Sequence, residues 1–186
     1  TGKLIKRSFI LPGEDGKLFT KDDKLNNYQV YRFDKHNRIL QETSFQGNKR
    51  KESVSKYVYD GKGRKIRIDR FDPKGKQTGY MAFAYDARDR ISQDEEYRGT
   101  GLLKYHRFEY DDQDRMSRVV EFHADQNGRG PDGQWFTADD VVSSAKEYFY
   151  STDGSKCKDK KYIGAGPDGK WFTPDDIMQY YTLSEY

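Results

Sequence analysis

The sequence predicts an all-β protein: an antiparallel meander of about 12 strands forming a single curved, open sheet. Three observations predict it. A nine-residue phrase recurs as "YRFDKHNRI" (31–39), "YVYDGKGRK" (57–65), "FAYDARDRI" (83–91) and "FEYDDQDRM" (108–116), and self-similarity at a fixed period marks a repeat architecture. Aromatic residues inside the phrase alternate with others, which is the period of a strand. Apolar residues at helical spacing are hard to find anywhere in the 186 residues.

Each phrase reads as a β-hairpin. Its aspartates, Asp34, Asp60, Asp86 and Asp111, set a period of about 26 residues. A weaker fifth copy is "YFYSTDGSK" (148–156), and the closing "SEY" resembles the start of a sixth. The aromatic strand ends at the Asp, whose side chain can accept from backbone N–H groups two residues on and so begins a turn. The next residues are Lys, Gly, Asn and Asp, which tolerate turn dihedrals. An Arg then opens the returning strand, so Asp34 can pair with Arg38, Asp60 with Arg64, Asp86 with Arg90 and Asp111 with Arg115.

Midway between these turns lie "FQGNK" (45–49), "DPKGK" (72–76) and "RGTG" (98–101), each with the Gly, Pro or Asn that a connection needs. The strands expected in order are 3–11, 27–34, 38–46, 50–60, 64–72, 76–86, 90–98, 102–111, 115–123, 144–151, 156–163 and 178–186. Together they make one domain, 1–186.

Three inserted loops, at 13–23, 130–140 and 164–176, interrupt the rhythm with "GEDGKLFTKDD", "GPDGQWFTADD" and "GPDGKWFTPDD". Phe33 stands ten residues after Asp23, Tyr150 ten after Asp140 and Tyr186 ten after Asp176, so each loop feeds an aromatic strand at the same phase. All three are expected at one edge of the sheet. Phe19, Phe136 and Phe172 should tuck against the sheet, with Trp135 and Trp171 covering the last two. The polar positions are Asp15, Thr20, Asp22 and Asp23, then Asp132, Thr137, Asp139 and Asp140, then Asp168, Thr173, Asp175 and Asp176. Two readings stand side by side. In one these oxygens hold calcium, which takes six to eight oxygen ligands. In the other the Thr caps a helical turn, with Pro174 at its first position and acids following.

Composition bounds the rest. Charged residues make up 35% and mean hydropathy is −1.14. Leu, Ile, Val and Phe number 34 of 186, about 18%, in the range of disordered chains. A net charge of only +3 and 15 tyrosines oppose disorder. The core should be thin, built from aromatic faces and Lys or Arg stems. The balanced charge argues against nucleic acid as a partner. A single cysteine, Cys157, excludes an internal disulfide. No stretch is apolar enough to span a membrane as a helix. The first residue is Thr, which leaves room for a removed export signal or a lipid anchor on it.

The repeated phrase resembles the YD repeat of RHS-like proteins, over residues 27–186. Members of that group build curved antiparallel sheets from such hairpins, and large ones wrap a closed shell around a toxin domain. About six hairpins are too few to close a shell, and the usual Gly before the Arg survives only as Gly63. The resemblance implies a bacterial envelope, periplasmic or secreted setting and a non-catalytic role.

Nothing in the sequence points to catalysis. His36, His106 and His123 show no metal-ligand spacing, and there is no nucleophile elbow or phosphate loop. The row Tyr31/Phe33, Tyr57/Tyr59, Phe83/Tyr85, Phe108/Tyr110, Tyr148/Tyr150 forms an aromatic ladder, expected to be buried as the core when the sheet curls. The opposite face, carrying Arg67, Asp69 and Arg118, is expected to be wet. The leading expectation is a binding protein that engages a protein partner through this sheet, with Tyr59, Tyr85 and Tyr110 central, or through its loop edge. One version is an immunity protein that neutralises a toxin. The alternative is a glycan-binding module with calcium-stabilised loops, Trp135 and Trp171 stacking on sugar rings.

Overall fold

The computed structural model describes residues 3–47, 49–124 and 128–183. The expectations placed on the closing "SEY", on Asn48 and on the Cys157 side chain lie outside the described residues. Twelve strands follow one another: β1 Leu4–Leu11, β2 Lys24–Phe33, β3 Ile39–Gln46, β4 Lys51–Tyr59, β5 Lys65–Phe71, β6 Gln77–Tyr85, β7 Ile91–Arg98, β8 Gly101–Tyr110, β9 Met116–His123, β10 Ser144–Tyr150, β11 Lys156–Gly164 and β12 Ile177–Leu183. They form one open sheet in the order β1 to β12, each strand beside its sequence neighbours. No helix occurs among the described residues.

The repeated phrase makes a repeated turn. Asp34 N–H donates to Arg38 O at 2.9 Å, and Asp60, Asp86 and Asp111 do the same to Arg64, Arg90 and Arg115. The residue before each Arg has positive φ: Asn37 63°, Gly63 84°, Asp89 61° and Asp114 62°. This is a three-residue hairpin loop whose last residue is left-handed and forms a bulge. Just beyond it the register slips by one residue on the returning strand: Arg32 and Phe33 pair with Gln41 and Ile39, Val58 and Tyr59 with Arg67 and Lys65, and Glu109 and Tyr110 with Arg118 and Met116. Asn and Asp tolerate that conformation where Gly is absent.

The chain divides into two compact units, Thr1–Ala82 with Arg98–Thr100, and Phe83–Tyr97 with Gly101–Tyr186. In the first, β1 is exposed along its whole length, and the clearest packing is Tyr28 stacked on Phe45 at 4.7 Å. In the second, Tyr105, Val120 and Phe122 form a buried cluster, with Ala145 and Tyr162 buried nearby.

That core corrects the expected one. Tyr105 pairs with Phe122, Val120 with Ala145, and Ala145 with Tyr162. By strand alternation these side chains lie opposite the ladder residues Phe108, Tyr110, Tyr148 and Tyr150. The ladder is half-buried rather than the core. The reason is the loops. Phe136 meets the Tyr105 ring edge-on at 4.9 Å, and Phe172 meets Tyr162 at 5.8 Å. In the second unit the face expected to be wet is therefore covered, and Arg118 on it lies 4.1 Å from the Phe172 ring.

Candidate functional site

Three arrangements of side chains carry chemistry, and the loops are the first. The last Asp of each loop turns its carboxylate back onto the backbone. Asp140 Oδ2 accepts from Phe136 N at 2.7 Å and Thr137 N at 3.1 Å, and Asp23 and Asp176 make the same pair of contacts with Phe19 and Thr20 and with Phe172 and Thr173. The penultimate Asp bridges the loop. Asp139 Oδ2 accepts from Asp132 N at 2.9 Å while its Oδ1 accepts from Thr137 Oγ1 at 2.8 Å; Asp22 and Asp175 repeat this with Asp15 and Thr20 and with Asp168 and Thr173. Asp15, Asp132 and Asp168 each accept from the N–H two residues on.

The capped-helix reading is thus overturned. The Thr hydroxyl donates to a carboxylate instead of capping, and the segment is a turn. Phe19, Phe136 and Phe172 have φ of 67°, 72° and 68°, a conformation bulky residues rarely adopt. The carboxylate that grips the Phe and Thr N–H groups holds it. Gly13, Gly130 and Gly166 are required because the bridging Asp packs against their Cα: an added Cβ would sit 2.2, 2.1 and 2.3 Å from Asp22, Asp139 and Asp175.

The three copies differ in what they cover. Asp140 is buried and also accepts from the Tyr105 hydroxyl, with Arg107 4.0 Å away. Its Oδ1 has no partner among the described residues. Burial, ahead of the Asp140 contact, pushes the Tyr105 phenol up. Trp135 is half-buried, edge-on to Tyr105 at 6.4 Å, with Arg129 5.4 Å from its ring; Trp171 is also half-buried. Phe19, expected against the sheet, is 90% exposed. Among the described residues no three acidic, His or Cys side chains converge to hold a metal, and the loop carboxylates are engaged by N–H and O–H donors.

The second arrangement links each hairpin to the next. Arg38 Nε donates to Asp34 Oδ2 at 2.7 Å while its guanidinium lies 4.7 Å from the Tyr59 ring, and the Tyr59 hydroxyl donates to Ile39 O at 2.8 Å. Arg90 does the same with Asp86 and Tyr110, whose hydroxyl reaches Ile91 O. Arg115 repeats it with Asp111 and Tyr150, whose hydroxyl reaches Met116 O. The Arg90 and Arg38 backbone N–H groups are the leading causes that hold Asp86 and Asp34 below the ordinary carboxylate range. Burial pushes the Tyr59, Tyr110 and Tyr150 phenols up. Of the three expected binding tyrosines, Tyr59 lies in the first unit and Tyr85 and Tyr110 in the second, all half-buried.

The third arrangement was not expected from the sequence. On the ladder face of the second unit, His106 Nδ1 is 2.6 Å from Asp94 and its Nε2 is 3.0 Å from Glu121. Carboxylates only accept, so both ring nitrogens must donate and the ring is an imidazolium. Burial would lower the His106 pKa, but Asp94 and then Glu121 outweigh it and raise it. Glu121 also takes Lys104 at 3.0 Å, His123 at 3.1 Å and the Ser144 hydroxyl at 3.1 Å. Burial would raise the Glu121 carboxyl, yet Lys104 and His106 bring it down to about 2. The signal was present: His106 stands five residues before Asp111 and Glu121 six after Arg115, and the one-residue slip beside the turn makes them cross-strand partners.

No protein-family model matches the chain, and no curated protein matches it. Solved structures with similar form include TcdB2-TccC3-TEV, at 13% identity and a TM-score of 0.43, matched over 91% of this chain. The match spans only 9% of that chain. A DUF3836 family protein from Bacteroides vulgatus matches 56% of this chain and 98% of its own at 10% identity, TM-score 0.39. A porin-like protein from Bacteroides uniformis matches 98% and 96% at 10% identity, TM-score 0.34. None of these reaches a TM-score of 0.5, and no function is carried over from them.

Proposed function

We propose that this is a non-catalytic binding protein of the YD-repeat type, which engages a protein partner through the aromatic face of its sheet or through its loop edge. The observation that supports it is where the core sits. The loops bury Tyr105, Phe122 and Tyr162 on one face of the second unit, which leaves Phe108, Tyr110, Tyr148 and Tyr150 half-accessible on the other. Of these, Tyr110 and Tyr150 are pinned by Arg90 and Arg115. Tyr and Arg are favoured at binding hot spots, and rigid side chains lose little entropy on association. A bacterial toxin or effector as the partner, with an envelope, periplasmic or secreted location, follows from the resemblance of the repeated phrase.

The glycan alternative needs Trp135 and Trp171 free for stacking, whereas both are half-buried and Trp135 packs on Tyr105. Calcium at the loops would compete with the N–H and Thr hydroxyl donors that already hold these carboxylates, with Asp140 Oδ1, which has no partner among the described residues, as the exception.

The test is capture from the native source with the protein and with a variant carrying Tyr110→Ser and Tyr148→Ser. A partner retained by the first and lost by the second supports the reading. Retention by both, with loss on Trp135→Ala and Trp171→Ala, would replace it with the loop-edge glycan module.

A further inference from the structure

A cleft of about 420 Å³ lies on the ladder face of the second unit. Phe108, Val119 and Tyr148 contribute its apolar lining, and His106 with Asp94 and Glu121 a polar wall. That wall is electrically complete. Asp94 and Glu121 carry two negative charges, and the imidazolium of His106 and the Lys104 that pairs with Glu121 carry two positive ones.

Two more charges line the same cleft without balance. Lys146 and Lys161 are direct cross-strand partners on β10 and β11. Both are half-buried, and neither has an ion-pair partner among the described residues. Like charges directly opposite on neighbouring strands repel, and partial desolvation raises the cost. Elsewhere β11 avoids this: Lys160 stands opposite Glu147, and Lys156 pairs with Asp159 at 3.1 Å. The pair at the cleft is therefore an exception, and an anion held between the two lysine side chains would offset their like charge.

We propose that this cleft is a binding site for a carboxylate carried on an apolar body, with Lys146 and Lys161 holding the anion and Phe108, Val119 and Tyr148 the body. Two carriers share that chemistry: a free aryl or alkyl acid, and an acidic side chain flanked by apolar ones on a protein. The second is the one we assign. It deepens the reading of the ladder face as a protein-binding surface and rests on it.

The experiment is an NMR titration of the whole chain with acetyl-Phe-Glu-Phe-amide, its Gln counterpart and phenylacetate. The expected result is saturable shifts at Phe108, Val119 and Tyr148 with the Glu peptide, and binding at least about tenfold weaker for the Gln peptide. Lys146→Gln and Lys161→Gln should each weaken the Glu peptide several-fold. Each should also raise the melting midpoint, because repulsion is removed; a merely structural pair would melt lower. Equal binding of the Glu and Gln peptides, or no effect of either lysine change, overturns the site. Tighter binding of phenylacetate than of the peptide overturns the protein carrier and leaves a small-acid site. A chain that binds the Glu peptide yet captures no protein partner would refute the proposed function while the anion site stands.

Discussion

The guanidinium of Arg115 lies 4.5 Å from the Tyr150 ring, and the Tyr150 hydroxyl donates to Met116 O across 34 residues of chain. The equivalent hydroxyl contacts of Tyr59 and Tyr110 span 20 and 19 residues. The link between hairpins is therefore set by strand neighbourhood and not by the length of chain between them. Cation–π contacts of this kind contribute about 0.5–1 kcal/mol at partly exposed sites. A double-mutant cycle with Arg115→Gln and Tyr150→Leu should show a coupling of that size by urea unfolding. Additive losses would mean that the two side chains merely lie near each other.

The buried carboxylate of loop 130–140 should matter most among the polar loop positions. Asp140→Asn keeps the shape but removes the charge facing Arg107 and gives Phe136 N and Thr137 N a weaker acceptor or a clashing amide. The expected loss is roughly 3 kcal/mol, the scale for breaking a buried charged network. The same change at Asp23, whose loop carries the exposed Phe19, should cost clearly less. Thermal melting of the two variants compares them directly, and equal midpoints would refute the distinction.

The polar wall predicts how stability depends on pH. His106 has a raised pKa in the folded protein, so its contribution is complete below about 6.5 and fades as pH rises through the folded value. Glu121 has a lowered one, so its contribution is complete above the ordinary 4.5 and fades as pH falls toward about 2. A plateau between these limits is expected in the melting midpoint. His106→Asn should abolish the decline attributable to this ring on the alkaline side, and a wild-type profile unchanged from mildly acidic to mildly alkaline pH would contradict the imidazolium.

Chelation tests the loops. Their carboxylates are anchored by N–H and Thr hydroxyl donors, so the melting midpoint in excess EDTA should equal that in millimolar calcium. A rise of several degrees with calcium would establish the ion as a loop ligand.

The strands and turns were readable because one phrase states them repeatedly. The Asp, the left-handed residue and the Arg sit at fixed offsets, and within the described residues the expected strand ends lie close to the observed ones; the start of β2, at Lys24 rather than 27, is the widest miss. The choice of face was not readable from that phrase. On the core side Tyr105, Val120 and Phe122 stand beside Lys104, Glu121 and His123 in sequence, and they look no more apolar than the ladder. What decides is Phe136 and Trp135 folding over Tyr105, a non-local event invisible to strand periodicity. The left-handed Phe of each loop also escaped, since its conformation depends on a carboxylate four residues later. The Asp94–His106–Glu121 wall escaped because its members lie on three different strands and each is unremarkable alone.

The independence of the Arg–Tyr link from intervening length has an evolutionary reading. Material can be added at the loop rim, as it is at 130–140, while the opposite rim and the rows between stay in register. A duplication or loss of one whole hairpin would likewise be healed by the same Asp, Arg and Tyr meeting a new neighbour. Growth of such a protein is constrained in phase but not in size.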